Sequence, residues 1–208
     1  MFKENWIIKN LLIPDEIVKL QNLVLKSAKV KNLEDLYIFI NNSFNITLHK
    51  FYDRLVQDEL ITLVEKNVIK RIYEKYKIPI SPFPVKAIRV VTSNVKSQAP
   101  WHQDEGTWRH HEYLSNKNPY TCWLPIIANL DNTLQVCYDE IKVKDHKRDK
   151  LKRSYQEFSS EELSNNIIID PEIGSGYIFS CYQPHRTKIN LKKKTLRISL
   201  DLRFTINH

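Results

Sequence analysis

Two short segments carry residue types that could hold one metal ion. Residues 100–104 read PWHQD, which places His102 and Asp104 two positions apart. On an extended backbone such side chains project to the same side, so an imidazole nitrogen and a carboxylate oxygen could meet one metal. His185 follows a strongly β-like run and is the best candidate for a third ligand. Two histidines and one carboxylate would occupy one face of an octahedron, leaving positions open for a bidentate co-substrate and dioxygen.

An arginine downstream of His185 is a candidate for binding a carboxylate. Arg197 follows His185 by twelve residues and lies in a β-like run that repeats arginine at Arg203. A guanidinium suits bidentate capture of a carboxylate, such as the distal carboxylate of 2-oxoglutarate. Taken alone, the His-x-Asp pair also fits a surface pair, and Arg197 also fits a solvated strand face. The ordered set of all four residues favours the metal and carboxylate interpretation.

The elements that must position these residues change in type along the chain. Pro14, Asp15 and Glu16 predict a helix start, and apolar residues follow at helical spacing. A second helix is predicted over residues 52–76, where no proline or glycine interrupts the apolar periodicity. Prolines at 79, 82 and 84 then end the helical part. The N-terminal part is therefore predicted to be mainly helical.

Short β-like runs separated by polar segments follow the prolines. Five runs predict strands, at 87–92, 120–127, 134–138, 177–182 and 196–205. Two of the three glycines lie at 174 and 176, just before one of these runs, where a tight turn would need positive φ. Helices followed by several short strands indicate an α+β fold whose β part is an antiparallel sandwich or a jelly roll.

The last run has two distinct faces. Apolar residues alternate with polar ones from Leu196 to Thr205, so the two sets lie on opposite sides of a strand. The polar set, which includes Arg197 and Arg203, could face water or line the interior of a barrel. The alternation does not choose between these, but the chemistry of the candidate ligands favours the interior.

Composition narrows the class of protein. The 208 residues, with 42% hydrophobic and 27% charged, fit one globular domain. Three widely spaced cysteines argue against a disulfide framework and a cysteine zinc site, so a cytoplasmic setting is expected. No signal peptide and no membrane span are expected. The net charge of +8 is interpreted as a lysine-rich surface, because nothing resembles a nucleic-acid-binding module.

The ordered residues His102, Asp104, His185 and Arg197 resemble those of the non-haem Fe(II)/2-oxoglutarate-dependent dioxygenase superfamily. The surrounding sequence resembles its phytanoyl-CoA dioxygenase-like branch. Three passages carry the branch resemblance: WHQD at 101–104, TCWLPI with NTLQV at 121–136, and HRT with TLRISLDLRF at 185–204. The resemblance implies a double-stranded β-helix, or jelly roll, over residues 84–206. Residues 1–80 would form helices on the outside of the major sheet, within one domain over 1–208.

The resemblance also implies a metal centre and a reaction. His102, Asp104 and His185 would bind ferrous iron. Dioxygen and 2-oxoglutarate would be consumed, giving succinate and carbon dioxide, with hydroxylation of a C–H bond. Halogenation is not expected, because halogenating relatives replace the carboxylate that Asp104 supplies here.

Further positions take implied roles in binding the co-substrate and the substrate. Arg197 would pair with the distal carboxylate of 2-oxoglutarate, with Thr187 nearby. Trp123 would pack beside the co-substrate, although a core tryptophan is an equally good interpretation. Arg203 would reach the substrate or support the site. Residues 105–118 are expected to form a loop over the site, with five candidate substrate contacts: Thr107, Trp108, Arg109, His110 and His111.

Three functions remain open from the sequence. The first is hydroxylation of a small molecule, as in secondary-metabolite or sugar biosynthesis. The second is desaturation, cyclisation or epimerisation on the same scaffold. The third is a non-catalytic, cupin-like jelly roll that holds zinc. Arg197 favours the first two, since a zinc site needs no carboxylate clamp. The basic loops and Arg109 favour an anionic small molecule; no nucleic-acid or membrane partner is expected.

Overall fold

Helices form the first part of the chain and strands most of the rest. The computed structural model describes residues 6–43, 45–83, 85–94, 99–104, 119–128, 131–148, 150 and 154–206. After a short strand β1 (Trp6–Ile8), four helices follow: α1 (Pro14–Ala28), α2 (Leu33–Asn42), α3 (Asn45–Val56) and α4 (Glu59–Tyr76). Within the described part of the chain, no helix has both the length and the apolar character needed to cross a bilayer.

The first helix begins where the sequence predicts. Pro14 is the first helical residue, where its missing N–H costs nothing. The carboxylate of Glu16 accepts a hydrogen bond from the backbone N–H of Ile13 at 3.1 Å. It also pairs with the guanidinium of Arg71 on α4 at 2.6 Å. The same acidic residue therefore caps α1 and joins it to α4.

The prediction of one continuous helix over residues 52–76 is wrong. α3 ends at Val56, and α4 begins at Glu59. Asp58 lies between them with an extended backbone, and its side chain accepts a hydrogen bond from the N–H of Leu60 at 2.9 Å. Aspartate is a favoured N-cap residue, so it starts a new helix here. The apolar periodicity hides the break because both helices bury an apolar face.

Ten further strands follow the helices and build antiparallel sheets. Their bounds are β2 (Ile80–Pro82), β3 (Ala87–Thr92), β4 (Pro119–Ile127), β5 (Asn132–Cys137), β6 (Lys147–Arg148), β7 (Ser154–Tyr155), β8 (Asn166–Ile169), β9 (Gly176–Ser180), β10 (His185–Ile189) and β11 (Leu196–Ile206). The major sheet has the order β1-β9-β4-β11-β2, and β3 also pairs with β11. A second sheet has the order β10-β5-β8, and β6 pairs with β7. This is an α+β, jelly-roll-like architecture.

One apolar cluster joins the helices to the major sheet. Its members come from all four helices and from one face of the sheet strands, and they include Leu20, Val24, Leu36, Phe51, Val64, Val68, Leu124, Ile126, Ile198, Leu200 and Leu202. Burying such side chains provides the main free energy for holding the two layers together. The helical layer thus supports the strands that carry the polar face of β11.

The polar face of β11 lies inside the protein. Every residue of this strand is buried. Arg197 and Arg203 are each only 2% exposed. The interior alternative for the polar face is therefore confirmed, and the solvated alternative is wrong. A buried guanidinium requires polar or charged partners, so this interior is a candidate binding site.

The glycine turn before β9 also matches its prediction. Gly174 has a φ of +81°, a conformation that residues with a Cβ adopt only with strain. Gly176 has no such backbone requirement, but an added Cβ there would overlap the side chain of Leu11. The turn and the close approach together place β9 between β1 and β4.

Candidate metal and co-substrate site

His102, Asp104 and His185 converge at one point in the interior. One ligand atom from each residue lies within 4.8 Å of the other two. The Nε2 of His185 is 3.7 Å from Oδ1 of Asp104. The centroids of the two imidazole rings are 4.2 Å apart. Two nitrogens and one carboxylate at this spacing form a donor set that can hold one metal ion.

Backbone pairing brings the two histidines together. The N–H of His102 donates to the carbonyl of His185 at 3.0 Å, and the N–H of His185 donates to the carbonyl of His102 at 2.9 Å. This isolated bridge lies at the start of β10. Residues paired in this way have neighbouring side chains. Two backbone hydrogen bonds therefore bring the two imidazoles together although the histidines are far apart in the sequence.

The hydrogen bonds of both imidazoles leave Nε2 available for a metal. The Nδ1 of His102 is 2.8 Å from the carbonyl of Pro100, and the Nδ1 of His185 is 3.1 Å from the carbonyl of Gln183. A carbonyl only accepts, so each Nδ1 carries the proton. Burial lowers the pKa of His102 to about 3, with help from His185, and burial also lowers the pKa of His185. Both rings are therefore neutral at neutral pH.

Asp104 is buried and held ionised. It is 2% exposed. Its Oδ2 accepts a hydrogen bond from the Thr121 hydroxyl at 2.7 Å and pairs with Nη2 of Arg203 at 3.2 Å. Burial alone would raise the pKa of Asp104, but the charge of Arg203 outweighs it and holds that pKa well below its usual range. The carboxylate is therefore an anionic ligand at neutral pH.

Gln103, between the two candidate ligands, fixes the backbone that carries them. Its side chain is 0% exposed. The amide nitrogen donates to the carbonyls of Ile141 at 3.0 Å and Tyr182 at 2.7 Å, and the amide oxygen accepts from the N–H of Lys144 at 3.1 Å. The backbone N–H of Gln103 donates to the side chain of Gln156. The buried amide therefore ties the ligand segment to two other segments.

Arg197 lies in the same interior with partners on several sides. Its Nη1 donates to the carbonyl of Thr133 at 3.1 Å, and its Nη2 donates to the Thr187 hydroxyl at 3.4 Å. The guanidinium carbon lies 5.0 Å from the centroid of the Trp123 ring. Its Nε has no hydrogen-bond partner among the residues that the structure describes. Burial lowers the pKa of Arg197 to about 10, so the side chain stays cationic at neutral pH.

A single cavity of about 720 Å³ connects the histidine cluster with Arg197. His102 and His185 line it together with Trp123, Thr187 and Arg197. Residues from the helical layer line the same cavity: Ile40, Asn41, Ser43 and Tyr52. Sequence reasoning missed the contribution of these helices, because the helical spacing of their apolar residues indicates only a packed face.

The predicted substrate contacts have different outcomes. Arg203 does not line the cavity and lies against Asp104, a placement that favours support of the site over contact with a substrate. Thr107, Trp108, Arg109 and the rest of the expected loop lie outside the described residues.

Three polar residues near the site were missed from the sequence. Thr121 bonds Asp104, and Arg89 and Asp201 line the cavity as a pair whose Nε and Oδ2 atoms are 3.2 Å apart. The signal in the sequence was the charge of Arg89 itself, because this residue interrupts the apolar run AIRVV.

Comparisons with known proteins give matches in structure only. No protein-family model matches the chain, and no curated protein sequence is similar enough to count as a match. SnoN, described as a non-haem alpha-ketoglutarate-dependent epimerase from nogalamycin biosynthesis, aligns with a TM-score of 0.62 at 8% identity, over 97% of this chain and 76% of its own. EctD from S. alaskensis, crystallised with 2-oxoglutarate and 5-hydroxyectoine, aligns with a TM-score of 0.56 at 12% identity, over 97% and 71%.

A third structure shares the fold over a shorter stretch. EvdO2 from Micromonospora carbonacea var. aurantiaca, complexed with 2-oxoglutarate, aligns with a TM-score of 0.50 at 12% identity. The match covers 74% of this chain and 63% of EvdO2, so this chain spans less than two-thirds of that protein. At such identities the likeness shows the fold alone.

Proposed function

We propose that the protein is an Fe(II)- and 2-oxoglutarate-dependent oxygenase that acts on a small molecule. The observation that carries the proposal is that His102 and His185, which cluster with Asp104, line one cavity together with Arg197. Three clustered metal-binding side chains alone, or a buried arginine alone, would have many explanations. A chelating acid bound between them would use both, because one end would meet the metal and the other the guanidinium.

The donor set fits ferrous iron. Two neutral imidazoles and one carboxylate are the ligands of non-haem iron oxygenases, and they leave positions open for other ligands. The hydrogen bonds from Nδ1 of both histidines to backbone carbonyls, together with those to Oδ2 of Asp104, orient the three ligand atoms. The likeness in fold to SnoN, whose structure holds Fe3+ and alpha-ketoglutarate, also supports iron.

The residues around Arg197 suit 2-oxoglutarate. Its guanidinium would bind the distal carboxylate, the Thr187 hydroxyl would donate a hydrogen bond to the same group, and the Trp123 ring would cover one side. With iron bound, dioxygen would be the oxidant: 2-oxoglutarate would give up two electrons and end as succinate and carbon dioxide, taking one oxygen atom, and the other oxygen atom would go to the substrate. The protein's own contribution is to fix both ends of the acid in a buried site and to keep water away from the reacting centre.

Hydroxylation is the reaction we assign, and its products distinguish it from other outcomes on this scaffold. SnoN is described as an epimerase, and EctD was crystallised with a hydroxylated compound. Substrate pose decides between hydroxylation, epimerisation, desaturation and cyclisation. Addition of one oxygen atom to the substrate, measured by mass spectrometry, supports hydroxylation, whereas unchanged mass or loss of two hydrogens assigns the protein to the other outcomes.

Succinate release from 2-oxoglutarate, with ferrous iron and air, tests the proposal. The parent is expected to form succinate, and His102→Ala to lose that activity because one of the three ligands is gone. His146→Ala is the matched control, since His146 lies outside the cluster. Equal background in the parent and in His102→Ala would contradict the proposal and favour a non-catalytic jelly roll that binds zinc.

A further inference from the structure

Within the described part of the chain, Arg89 is the cation lining the cavity that the proposed chemistry does not use. It lies on β3 opposite Ser199 of β11, so its side chain shares the interior face with Arg197 and Asp201. Only its Nε pairs with Asp201, at 3.2 Å. The side chain is 52% exposed although it lines the cavity, whereas that of Arg203 is 2% exposed. Among the described residues, only Nε of Arg89 has a hydrogen-bond partner, so the two terminal nitrogens are available for other contacts.

Counted over the described residues alone, the site has one more cationic side chain than anionic ones. Arg203 pairs with Asp104, and Arg89 pairs with Asp201. Arg197 has only carbonyl and hydroxyl partners within the described residues. A divalent cation and the dianion of 2-oxoglutarate would cancel, so binding both leaves the excess unchanged. A further anion would neutralise it, and charge of one sign in a low-dielectric cavity attracts such a ligand.

Arg89 and Arg197 lie at different positions along neighbouring strands. Arg197 pairs with Val91 across the strands, and Arg89 pairs with Ser199. Their Cα atoms are thus on neighbouring strands and two residues apart along them, an offset of about 7 Å in the strand direction. Thr187 and Trp123 contact Arg197, whereas Asp201 contacts Arg89. The two guanidinium groups therefore start from different backbone positions and have different neighbours among the described residues.

We propose that Arg89 forms a subsite for an anionic group, a carboxylate or a phosphate, on the substrate. The proposal rests on the proposed function, because it takes Arg197 as the site of 2-oxoglutarate. Asp201 orients the guanidinium through Nε and leaves the two terminal nitrogens to bind two oxygens of the anion. The polar side chains of Asn41 and Asn94 line the same cavity and suit a polar remainder of the substrate.

Matched pairs of small probes test the subsite without turnover. The protein is loaded with Zn²⁺ and saturating 2-oxoglutarate, so the co-substrate site is filled and no oxidation occurs. Binding of benzoate against benzamide, and of phenyl phosphate against phenol, is measured at millimolar concentration by saturation-transfer NMR. In the parent, at least one anion is expected to bind about tenfold more tightly than its neutral partner, and the better pair distinguishes carboxylate from phosphate.

Variants of Arg89 assign the preference. Arg89→Gln is expected to remove the preference for the anion, while leaving the affinity of the neutral probe unchanged. Arg89→Lys keeps the positive charge but loses the planar guanidinium that binds two oxygens at once. This variant is expected to retain part of the preference for the anion. Arg186→Gln is the matched control, because Arg186 does not line the cavity and is expected to keep the parent's preference. Circular dichroism confirms that each variant is folded.

Several results would contradict the proposal that Arg89 forms an anion subsite. Equal affinity for anionic and neutral probes in the parent, including no detectable binding of either, would do so. An unchanged preference in Arg89→Gln would do the same. A tenfold loss of 2-oxoglutarate affinity in Arg89→Gln would assign Arg89 to the co-substrate instead. Failure of 2-oxoglutarate to bind the zinc-loaded parent would contradict the proposed function itself, so the two failures are distinguishable.

Discussion

The guanidinium of Arg203 lies 3.2 Å from Oδ2 of Asp104, while Oδ1 of the same carboxylate lies 3.7 Å from Nε2 of His185. The two oxygens of Asp104 therefore have different partners. Thr121 and Arg203 occupy Oδ2, and Oδ1 faces the imidazole. This division holds the carboxylate in one orientation and leaves Oδ1 as the oxygen available to a metal. Arg203 thus acts on the site through Asp104 rather than from the cavity.

Removing the charge of Arg203 is expected to weaken metal binding. In Arg203→Gln, Oδ2 of Asp104 loses its ion pair, and partners of this kind are typically worth about 10- to 100-fold in metal affinity. Calorimetric titration of the metal-free protein with Co²⁺ measures the change. Arg186→Gln serves as a control for the general effect of losing an arginine. Unchanged Co²⁺ affinity in a folded Arg203→Gln variant would show that Thr121 and the backbone suffice to orient Asp104.

Gln103 is expected to be important for stability. Gln103→Met keeps the approximate size of the side chain but removes the hydrogen bonds of its amide with the carbonyls of Ile141 and Tyr182 and with the N–H of Lys144. The carbonyl of Tyr182 keeps a long hydrogen bond from the N–H of Ile141, at 3.5 Å. Each buried group left unsatisfied costs roughly 1–3 kcal/mol, so we expect the free energy of unfolding to fall by about 2 kcal/mol or more. Urea denaturation measures it. A loss below about 1 kcal/mol would mean that water replaces the amide.

The stability of the metal-free protein is expected to fall on mild acidification. Burial lowers the pKa of His102 to about 3, whereas in the unfolded chain the pKa of histidine is about 6.5. Between these values the unfolded chain binds a proton that the folded chain does not. The stabilising effect of neutral His102 is therefore complete above pH of about 6.5 and is lost as the pH falls toward 3.

Urea denaturation at pH values of about 7 and 5, in the presence of a chelator, measures this loss. We expect the free energy of unfolding to decrease by about 2 kcal/mol in the parent. The decrease should be smaller in His102→Gln, which has no imidazole to protonate at that position. Equal decreases in the two proteins would assign the pH dependence to other groups.

Arg197 is expected to set the requirement for 2-oxoglutarate. Arg197→Gln removes the charge that would pair with the distal carboxylate. A loss of about 1.4 kcal/mol of pairing already raises the requirement tenfold, and we expect at least that. The concentration of 2-oxoglutarate that gives half-maximal succinate release is the measurement. If that concentration is unchanged while the variant stays folded, another cation of the cavity holds the co-substrate.

Local patterns in the sequence were enough to select the candidate ligands His102 and Asp104 and the polar face of β11. The spacing of His102 and Asp104 and the alternation along β11 both report side-chain direction, which depends on backbone geometry over a few residues. The β3 run was predicted with the bounds that the structure has, Ala87–Thr92. The start of α1 at Pro14 was predicted for a similar local reason.

Long-range pairings were not predictable in the same way. Arg89 and Asp201 are 112 residues apart, and neither segment alone indicates that they meet. The isolated bridge that joins His102 to His185 depends on two hydrogen bonds between distant segments. The start of a new helix after Asp58 was missed because a cap is one residue, whereas periodicity averages over many.

Binding of ferrous iron and 2-oxoglutarate without oxygen tests the central claim most directly. A 2-oxo acid that chelates ferrous iron gives a visible charge-transfer absorption, so titration of the iron-loaded protein with 2-oxoglutarate under anaerobic conditions reports both components in one site. We predict a saturable band in the parent, its loss in His185→Ala, and a shift to higher 2-oxoglutarate concentration in Arg197→Gln. A parent that gives no band, or a band that persists unchanged in His185→Ala, would contradict the assignment.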